Sequence, residues 1–179
     1  MPKYVAFLRA INVGGHTVKM DYLRSLFESL GFSNVETFIA SGNVIFDSPS
    51  RSAPTLEKKI EKSLQQALGY AVATFIRSTS ELSGVAAHRP FSETELNTPG
   101  HTLYIGFMAA SPNDAAEKLL LSSNSKVDGF HLHGRELYWL LRTRFGDSKF
   151  SGARLEKTLG TAVTIRNVTT VSKLVAKYS

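Results

Sequence analysis

Residues 66–72 read Gln-Ala-Leu-Gly-Tyr-Ala-Val, and residues 157–163 read Lys-Thr-Leu-Gly-Thr-Ala-Val. The shared core, Leu-Gly-x-Ala-Val, is followed in both places by an Ile-Arg pair, a small polar cluster and an apolar helical pattern. Each copy ends a predicted helix on glycine and leads into a predicted strand, so the repeat predicts two units of one fold. Chance recurrence of common helix-ending chemistry is the alternative explanation.

The residues around the first copy predict the order βαββαβ. An apolar run at residues 3–10 is typical of a buried strand, and residues 20–30 carry apolar side chains at helical spacing. Two β-rich runs flank Ser41-Gly42-Asn43, which indicates a hairpin. A second helix begins near Pro54 and precedes a strand at residues 71–76.

The pattern restarts after the middle of the chain. We predict a strand at residues 102–108 and a helix capped within residues 111–114, with Pro112 at the first helical position. A hairpin with a type II′ turn at Gly134-Arg135, a helix at 153–159 and a strand at 162–166 follow. A closing apolar helix follows. Both halves therefore match the ferredoxin-like βαββαβ order, and the predicted class is α+β with mostly antiparallel sheets.

Domain boundaries follow from this repeat. Residues 78–87 have the pattern of a short helix, and residues 89–100 form a polar stretch that contains proline and glycine, as linkers do. We expect a first unit with its short helix at residues 1–88, a linker at 89–100, and a second unit with a C-terminal helix at 101–179.

The composition limits the classes of function. The chain has 179 residues, 42% of them apolar and none of them cysteine. It can form a core without disulfides, and it has no thiolate metal site or cysteine nucleophile. The apolar run at the N-terminus is too short for a signal peptide, and no longer run follows, so we expect a cytoplasmic protein without a membrane contact. We expect no cofactor.

The net charge of +6 is unevenly distributed along the sequence. Up to Gly134 there are twelve basic and twelve acidic residues, whereas from Arg135 onward there are nine basic and three acidic residues. Such an excess is typical of proteins that bind phosphate-bearing partners. A solvated basic face without a partner is the alternative.

A loop with two adjacent glycines, residues 12–19, lies between the first predicted strand and helix, and we call it the glycine loop. Its free backbone N–H groups near a helix N-terminus suit an anion. It has neither the Gly-Lys-Ser/Thr ending of a Walker loop nor the third glycine of a dinucleotide fingerprint, and a purely structural turn is the alternative. The candidate ligand-binding residues here are Arg9, Asn12, Gly14, Gly15, His16 and Lys19.

A second candidate is the basic loop, residues 142–150, which reads Arg-Thr-Arg-Phe-Gly-Asp-Ser-Lys-Phe. It combines cations with aromatic rings, as phosphate-tracking and base-stacking loops do. Its candidate ligand-binding residues are Arg144, Ser148 and Lys149. If the two units pack about a pseudo-twofold axis, the glycine loop and the basic loop could line one groove.

Other signals are weaker. His131-x-His133 places two imidazoles on one strand face, but no third ligand stands at a telling spacing, so no metal site is predicted. Ser41 and Ser148 would act as nucleophiles only beside a base. The third strand, residues 41–46, lacks the aromatic alternation of RNA-recognition domains, which makes that function a poor fit.

The chain resembles a bacterial family of proteins of unknown function. The resemblance rests on Phe-Leu-Arg-Ala-Ile-Asn-Val-Gly-Gly at residues 7–15 and Ser-Gly-Asn-Val-Ile-Phe at residues 41–46. Further matching segments are residues 30–32, 89–91, 134–138, 148–149, 159–160 and 166–167. It implies a bacterial cytoplasmic protein with no established activity. The family commonly has tryptophan after the Arg-Asn pair, where this chain has Val168.

Three functions remain open from the sequence. The leading hypothesis is a protein that binds a phosphorylated small molecule or a nucleic acid through the two loops. An enzyme acting on a phosphorylated metabolite, with Lys149, His16 or Ser148 transferring a proton or group, is the second. A structural or dimerisation module without a ligand is the third. The sequence predicts no specific protein partner.

Overall fold

The computed structural model describes residues 1–12, 15–39 and 42–178. Gly14 of the glycine loop and Ser41 of the predicted hairpin turn lie outside the described residues. The chain divides into two compact units, one formed by residues 1–82 with Tyr178 and the other by residues 83–177.

The first unit has the predicted order of elements. They are β1 (Lys3–Leu8), α1 (Met20–Ser29), β2 (Ser33–Thr37), β3 (Asn43–Asp47), α2 (Ala53–Leu68) and β4 (Thr74–Ser78), followed by α3 (Thr79–Ala87). The strand order is β2-β3-β1-β4, and all neighbouring strands are antiparallel. This is the ferredoxin-like topology.

The second unit repeats this arrangement. Its elements are α4 (Glu93–Leu96), β5 (Thr102–Phe107), α5 (Asp114–Leu121), β6 (Asp128–His133), β7 (Glu136–Leu141), α6 (Gly152–Leu159), β8 (Thr164–Asn167) and α7 (Val168–Tyr178). The strand order β6-β7-β5-β8 is the counterpart of the first sheet, again with antiparallel neighbours. The predicted fold class and the two similar units are therefore confirmed.

Each unit packs its two helices of the βαββαβ order on one face of its sheet. In the first unit, alternate residues of β1, such as Ala6 and Leu8, pack against Phe27 of α1 and Ile60 of α2. In the second unit, Trp139 of β7 lies in the equivalent core, together with side chains of α5 and α6. Because successive side chains of a strand point to opposite faces of the sheet, every second residue faces the helices.

The opposite face of each sheet is also buried and carries an arginine. Arg77 of β4 pairs with Val5, and Arg166 of β8 pairs with Ile105. Arg77 is fully buried, and Arg166 is 8% exposed. Burial lowers the pKa of Arg166 to about 10, because an apolar environment disfavours the charged guanidinium. The Ile-Arg pairs in the sequence repeat therefore occupy equivalent buried positions.

Most of the predicted helix and turn signals correspond to real caps. Ser52 caps α2 by accepting from the N–H of Thr55, and proline stands in the first turn of that helix. Gly69 and Gly160 end α2 and α6 in the left-handed conformation, with φ of 83° and 71°. Gly134 has φ of 60° between β6 and β7, as a type II′ turn requires at its first position.

The starts of β4, α5 and β8 differ from the sequence expectation; β8 begins at Thr164 and not at residue 162. The last strand of the first unit begins at Thr74 and not at residue 71, because β1 ends at Leu8, the partner of Thr74. Before that strand, the carbonyl of Ala73 accepts from the N–H of Arg9. Helix α5 is capped by Asn113, whose side chain accepts from the N–H of Ala116. Pro112 therefore precedes the cap and does not occupy the first helical position.

The predicted linker, residues 89–100, contains a short helix. Residues 93–96 form α4, capped by Ser92, and they lie in the second unit.

In the part of the chain that the structure describes, no helix combines the length and the apolar character that crossing a membrane requires.

Candidate ligand-binding site

The basic loop connects β7 with α6 in the second unit, and Ser148 anchors it. The Ser148 hydroxyl donates to Oδ1 of Asp128 over 2.7 Å and accepts from the N–H of Phe150 over 2.9 Å. The loop also contains a turn in which the N–H of Asp147 donates to the carbonyl of Arg144. These bonds hold the residues on either side of Ser148 in one conformation.

Asp128, the anchor for Ser148, is a buried carboxylate at the start of β6. It is 3% exposed, and its Oδ1 also accepts from Nε1 of Trp139 over 2.9 Å. Two donors on one carboxylate oxygen offset much of the cost of burying its charge. Asp128 therefore ties the basic loop to the core tryptophan of the second unit.

A cavity of about 310 Å³ lies beside the anchored loop. The charged residues in its lining are Lys149, Arg154, Asp128 and Asp147. Arg154 stacks over the ring of Phe150 at 5.0 Å and donates to the carbonyl of Lys149 over 3.4 Å. Its guanidinium is therefore held in place before any ligand arrives.

Two cations of the basic loop are unpaired. Arg144 and Lys149 are exposed, and their side chains make no hydrogen bond or ion pair within residues 1–12, 15–39 and 42–178. Asp147 is the acidic residue of the loop, and it is also exposed. The loop thus has two unpaired cations against one carboxylate, whereas the cavity lining has two cations and two carboxylates.

An exposed aromatic ring completes the loop. Phe145 is 65% exposed, an unusual position for a large apolar side chain. Its ring contacts Tyr104 at 5.8 Å and Trp139 at 6.1 Å between centroids. Tyr104 and Trp139 therefore pack against part of the Phe145 ring, and the rest of the ring is exposed for a further contact.

Arg142, the first residue of the basic loop, has a structural role. Its guanidinium forms an ion pair with Glu95 at 3.0 Å and donates to the carbonyl of Ser125. A Cβ on Gly129 would lie 2.9 Å from this guanidinium, so glycine makes room for it. Arg142 ties β7 to α4 and is not available as a simple anion-binding charge.

The glycine loop lies in the first unit and is held by its own side chains. Oδ1 of Asn12 accepts from the N–H of Val18 over 2.8 Å. The ring of His16 stacks on Tyr70 at 3.9 Å, and the Tyr70 hydroxyl donates to the carbonyl of Ile11 over 2.8 Å. Gly15 has φ of 82°, which only glycine adopts easily. These contacts favour the structural alternative for Asn12, Gly15 and His16.

The end of β1 and Ile11, which precede the glycine loop, lie beside the turn between β2 and β3. The N–H of Leu8 donates to the carbonyl of Gly42, and a Cβ on Gly42 would lie 3.1 Å from the side chains of Leu8 and Ile11. The two sequence motifs that carry the family resemblance thus meet in space. Arg9 and Lys19 flank the loop, and Lys19 is exposed.

The sequence-predicted site residues therefore fall into two groups. Arg9, Asn12, Gly15, His16 and Lys19 belong to the first unit, whereas Arg144, Ser148 and Lys149 belong to the second. Joint use of the two loops stays a prediction.

Sequence reasoning missed Asp128 and Arg154 as parts of the site. Asp128 precedes the apolar residues of β6 and gives no local signal, since its partners stand far away in sequence at Trp139 and Ser148. In the sequence, Arg154 is identifiable only as one of the nine basic residues from Arg135 onward. Its place beside Phe150 follows from the start of α6 at Gly152.

The structure adds a third imidazole to the histidine pair. His88 stacks on His133 at 4.1 Å and lies 5.4 Å from His131 between centroids. Nε2 of His88 is buried without a partner among the described residues. Burial, helped by His133, His131 and Arg89, lowers the pKa of His88. Residues 1–12, 15–39 and 42–178 contain no group of three or more His, Cys, Asp or Glu side chains suited to a metal ion.

Comparison with known proteins places the chain in a family. Residues 1–138 match the family model described as a protein of unknown function, DUF1697. The chain belongs to the DUF1697 family. The match ends at Tyr138, before the basic loop. A comparison with functionally curated proteins gave no match.

One solved structure supports the fold of this DUF1697 protein along its whole length. It is the conserved bacterial protein SP0830 from Streptococcus pneumoniae, which is 23% identical to this chain with a TM-score of 0.75. The alignment covers 99% of this chain and 98% of the Streptococcus protein. At that identity the similarity concerns the fold.

Proposed function

We propose that this protein binds a phosphate-bearing ligand at the basic loop of its second unit. The observation that carries the proposal is the cavity of about 310 Å³ beside an anchored loop, lined by Lys149 and Arg154. A phosphate group would accept hydrogen bonds from both cations, and such charge-assisted bonds are stronger than neutral ones. Arg144 adds an unpaired cation nearby.

The anchoring of the loop supports binding because a preorganised site loses less entropy when its ligand arrives. Asp128 holds Ser148, and Phe150 supports Arg154, so these elements need not reorder. Lys149 retains its side-chain freedom. The cavity volume lies at the small end of the range for ligand sites, roughly 300–1,000 Å³, which suits a phosphorylated small molecule.

The exposed ring of Phe145 extends the proposal towards a ligand with a base. A nucleotide offers a phosphate for the cations and a flat base that can stack on an aromatic ring, with a contribution of about 1–3 kcal/mol per base. A mononucleotide and a single-stranded nucleic acid share this chemistry. Arg9, together with Gly14 and Lys19 of the glycine loop, stays a candidate for a second contact. We expect binding to take place in the cytoplasm.

Titration calorimetry with mononucleotides, sugar phosphates and short single-stranded oligonucleotides tests the proposal. Lys149→Ala and Arg154→Ala should each weaken binding by about tenfold or more, because each removes a charge-assisted hydrogen bond. Asp147→Asn should strengthen binding, since it removes the unpaired negative charge of the loop. Lys62→Ala removes an exposed lysine of the first unit and should change nothing.

The absence of binding to wild-type protein by every probe contradicts the proposal. Equal loss of affinity in Lys62→Ala and Lys149→Ala also contradicts it, because net charge would then explain the effect without a site.

An enzyme acting on a phosphorylated metabolite is the second candidate. The observation in its favour is the 2.7 Å hydrogen bond from Ser148 to Asp128, which places a carboxylate beside a hydroxyl. The same bond anchors the loop, and Trp139 shares the carboxylate. A turnover screen on phosphorylated metabolites separates the two functions: catalysis requires a product that wild type forms and Asp128→Asn does not.

A further inference from the structure

A second and larger cavity lies in the second unit, away from the basic loop. Its volume is about 870 Å³, and it shares no lining residue with the cavity beside Lys149. Three segments form its walls: residues 89–97 around α4, the start of β5, and the first turns of α7. The volume suits a small molecule, since ligand sites typically span roughly 300–1,000 Å³.

Arg89 gives this cavity a cation that the backbone holds in place. Its Nη1 donates to the carbonyls of Ala86 and His88. Nε and Nη2 make no bond with the residues that the structure describes. These two nitrogens form one edge of the guanidinium, the geometry that binds both oxygens of a carboxylate or phosphate.

Lys173 of α7 supplies a second cation to the same lining. Its ammonium is exposed and makes no ion pair or hydrogen bond within the described ranges. Glu93 is the acidic residue of the lining, and it too lacks an ion pair there. With Arg89, the cavity thus has two cations against one carboxylate.

Asn167 adds a neutral donor. Its Oδ1 accepts from the N–H of Thr169 over 2.9 Å, at the start of α7. This bond fixes the side-chain amide, and its Nδ2 group has no partner in the described part of the chain. An oriented N–H donor therefore stands in the lining alongside the cations.

His101 adds an acceptor. Its Nδ1 lies 2.7 Å from the carbonyl of Glu95, and a carbonyl only accepts, so Nδ1 carries the proton. In the neutral ring, Nε2 is then an acceptor. Together with Glu93, it suits a ligand that also carries hydroxyl or amino donors.

We propose that this cavity is a binding site for a small molecule with one oxyanion group, phosphate or carboxylate, and with hydroxyl or amino donors elsewhere. Arg89 and Lys173 hold the oxyanion, and Asn167 donates to it. Glu93 and His101 accept from the rest of the ligand. The site is independent of the basic loop, so the protein has two ligand sites in one unit.

Calorimetric titration of the full chain with matched probes tests this site. Glycerol 3-phosphate and ribose 5-phosphate represent phosphate ligands, glycerate represents carboxylates, and inorganic phosphate lacks the hydroxyl-bearing part. At least one of the first three should bind more tightly than inorganic phosphate. Arg89→Gln and Lys173→Gln should each weaken that binding by about tenfold or more.

Lys173→Gln also guards against a folding artefact, because this exposed side chain has no described contact to lose. Ala176→Trp, at an exposed lining position of α7, should weaken binding by occupying part of the cavity while keeping both cations. Lys173→Gln should weaken binding by the same factor in a Lys149→Ala background, which separates the site from the basic loop. The proposal is overturned if no probe binds wild type, or if binding survives unchanged in Lys173→Gln and Ala176→Trp.

Discussion

His88 shows how one residue couples this fold to pH. Its ring stacks on His133, lies near His131, and meets Tyr138 edge-on at 5.1 Å. Arg89 is the next residue, and Glu136 is the negative group that acts on Tyr138. A proton on His88 would therefore enter a partly buried place in which His133, His131 and Arg89 disfavour it.

The stability of the protein should fall as the pH decreases, because His88 resists protonation in the folded state. Because the pKa of His88 is lowered in the folded protein, the unfolded chain binds a proton first as pH decreases. Stability is unaffected above the unfolded pKa of about 6.5 and decreases as pH falls through it. The melting temperature should thus decrease between about pH 7.5 and about pH 5.5, and less so in His88→Gln.

His16→Gln is the matched control, since it changes an exposed histidine of the other unit. It should keep the pH dependence of wild type. The measurement is the melting temperature of wild type, His88→Gln and His16→Gln in a series of buffers of different pH. Identical pH profiles for wild type and His88→Gln would show that the cluster does not couple to folding.

At the scale of elements, the repeated helix ends are the clearest sequence-to-structure link. Gly69 and Gly160 both adopt positive φ, and an added Cβ would meet no atom within 4 Å at either position. The need for glycine is therefore conformational and does not come from crowding.

Gly69→Ala and Gly160→Ala should each lower the free energy of unfolding by about 1–2 kcal/mol, the cost of the left-handed conformation for a residue with a Cβ. Urea denaturation measures it. Gly84→Ala in α3 is the control: its Cβ also meets nothing, but its φ is helical, so alanine should stabilise by about 0.5–1 kcal/mol. A neutral effect at both helix ends would contradict the argument.

The elements were predictable because their signals are local. Capping at Ser52, the glycine stops and the turn at Gly134 each depend on a few adjacent residues. The candidate sites were less predictable because they depend on distant partners. The residues next to Asp128 in the sequence do not indicate that it bonds to Trp139 and Ser148. The large cavity is likewise lined by Arg89 and Lys173, which lie far apart in the sequence of the second unit.

For the whole molecule, the structure changes how the charge should be counted. The sequence places all the excess after residue 134, but β6, α5 and α4 add acidic residues to the same unit. Residues 83–177 contain twelve basic and eight acidic residues, and residues 1–82 contain nine and seven. The second unit therefore carries +4 of the net +6, a smaller asymmetry than the sequence alone indicates.

Because the net charge of the second unit is only +4, salt should weaken ligand binding more by screening direct contacts with phosphates than by screening the long-range electrostatic field of the protein. If a single-stranded oligonucleotide binds the basic loop, its affinity should fall with salt, with a log–log slope of about −0.7 for each phosphate contacted. Lys149→Ala should reduce the slope by about one such contact. Fluorescence anisotropy across a salt series measures both slopes, with Lys62→Ala as control. An unchanged slope in Lys149→Ala would remove this lysine from the phosphate contacts.

Trp139 is the only tryptophan of the chain, and it is buried in the core of the second unit beside Asp128. Its emission after excitation at the red edge of the absorption band therefore reports on that unit alone, while circular dichroism averages over the helices and strands of both. Superimposable curves from the two signals during denaturation would mean that the duplicated units melt as one cooperative body. Separate curves would mean that one unit unfolds at a lower denaturant concentration than the other.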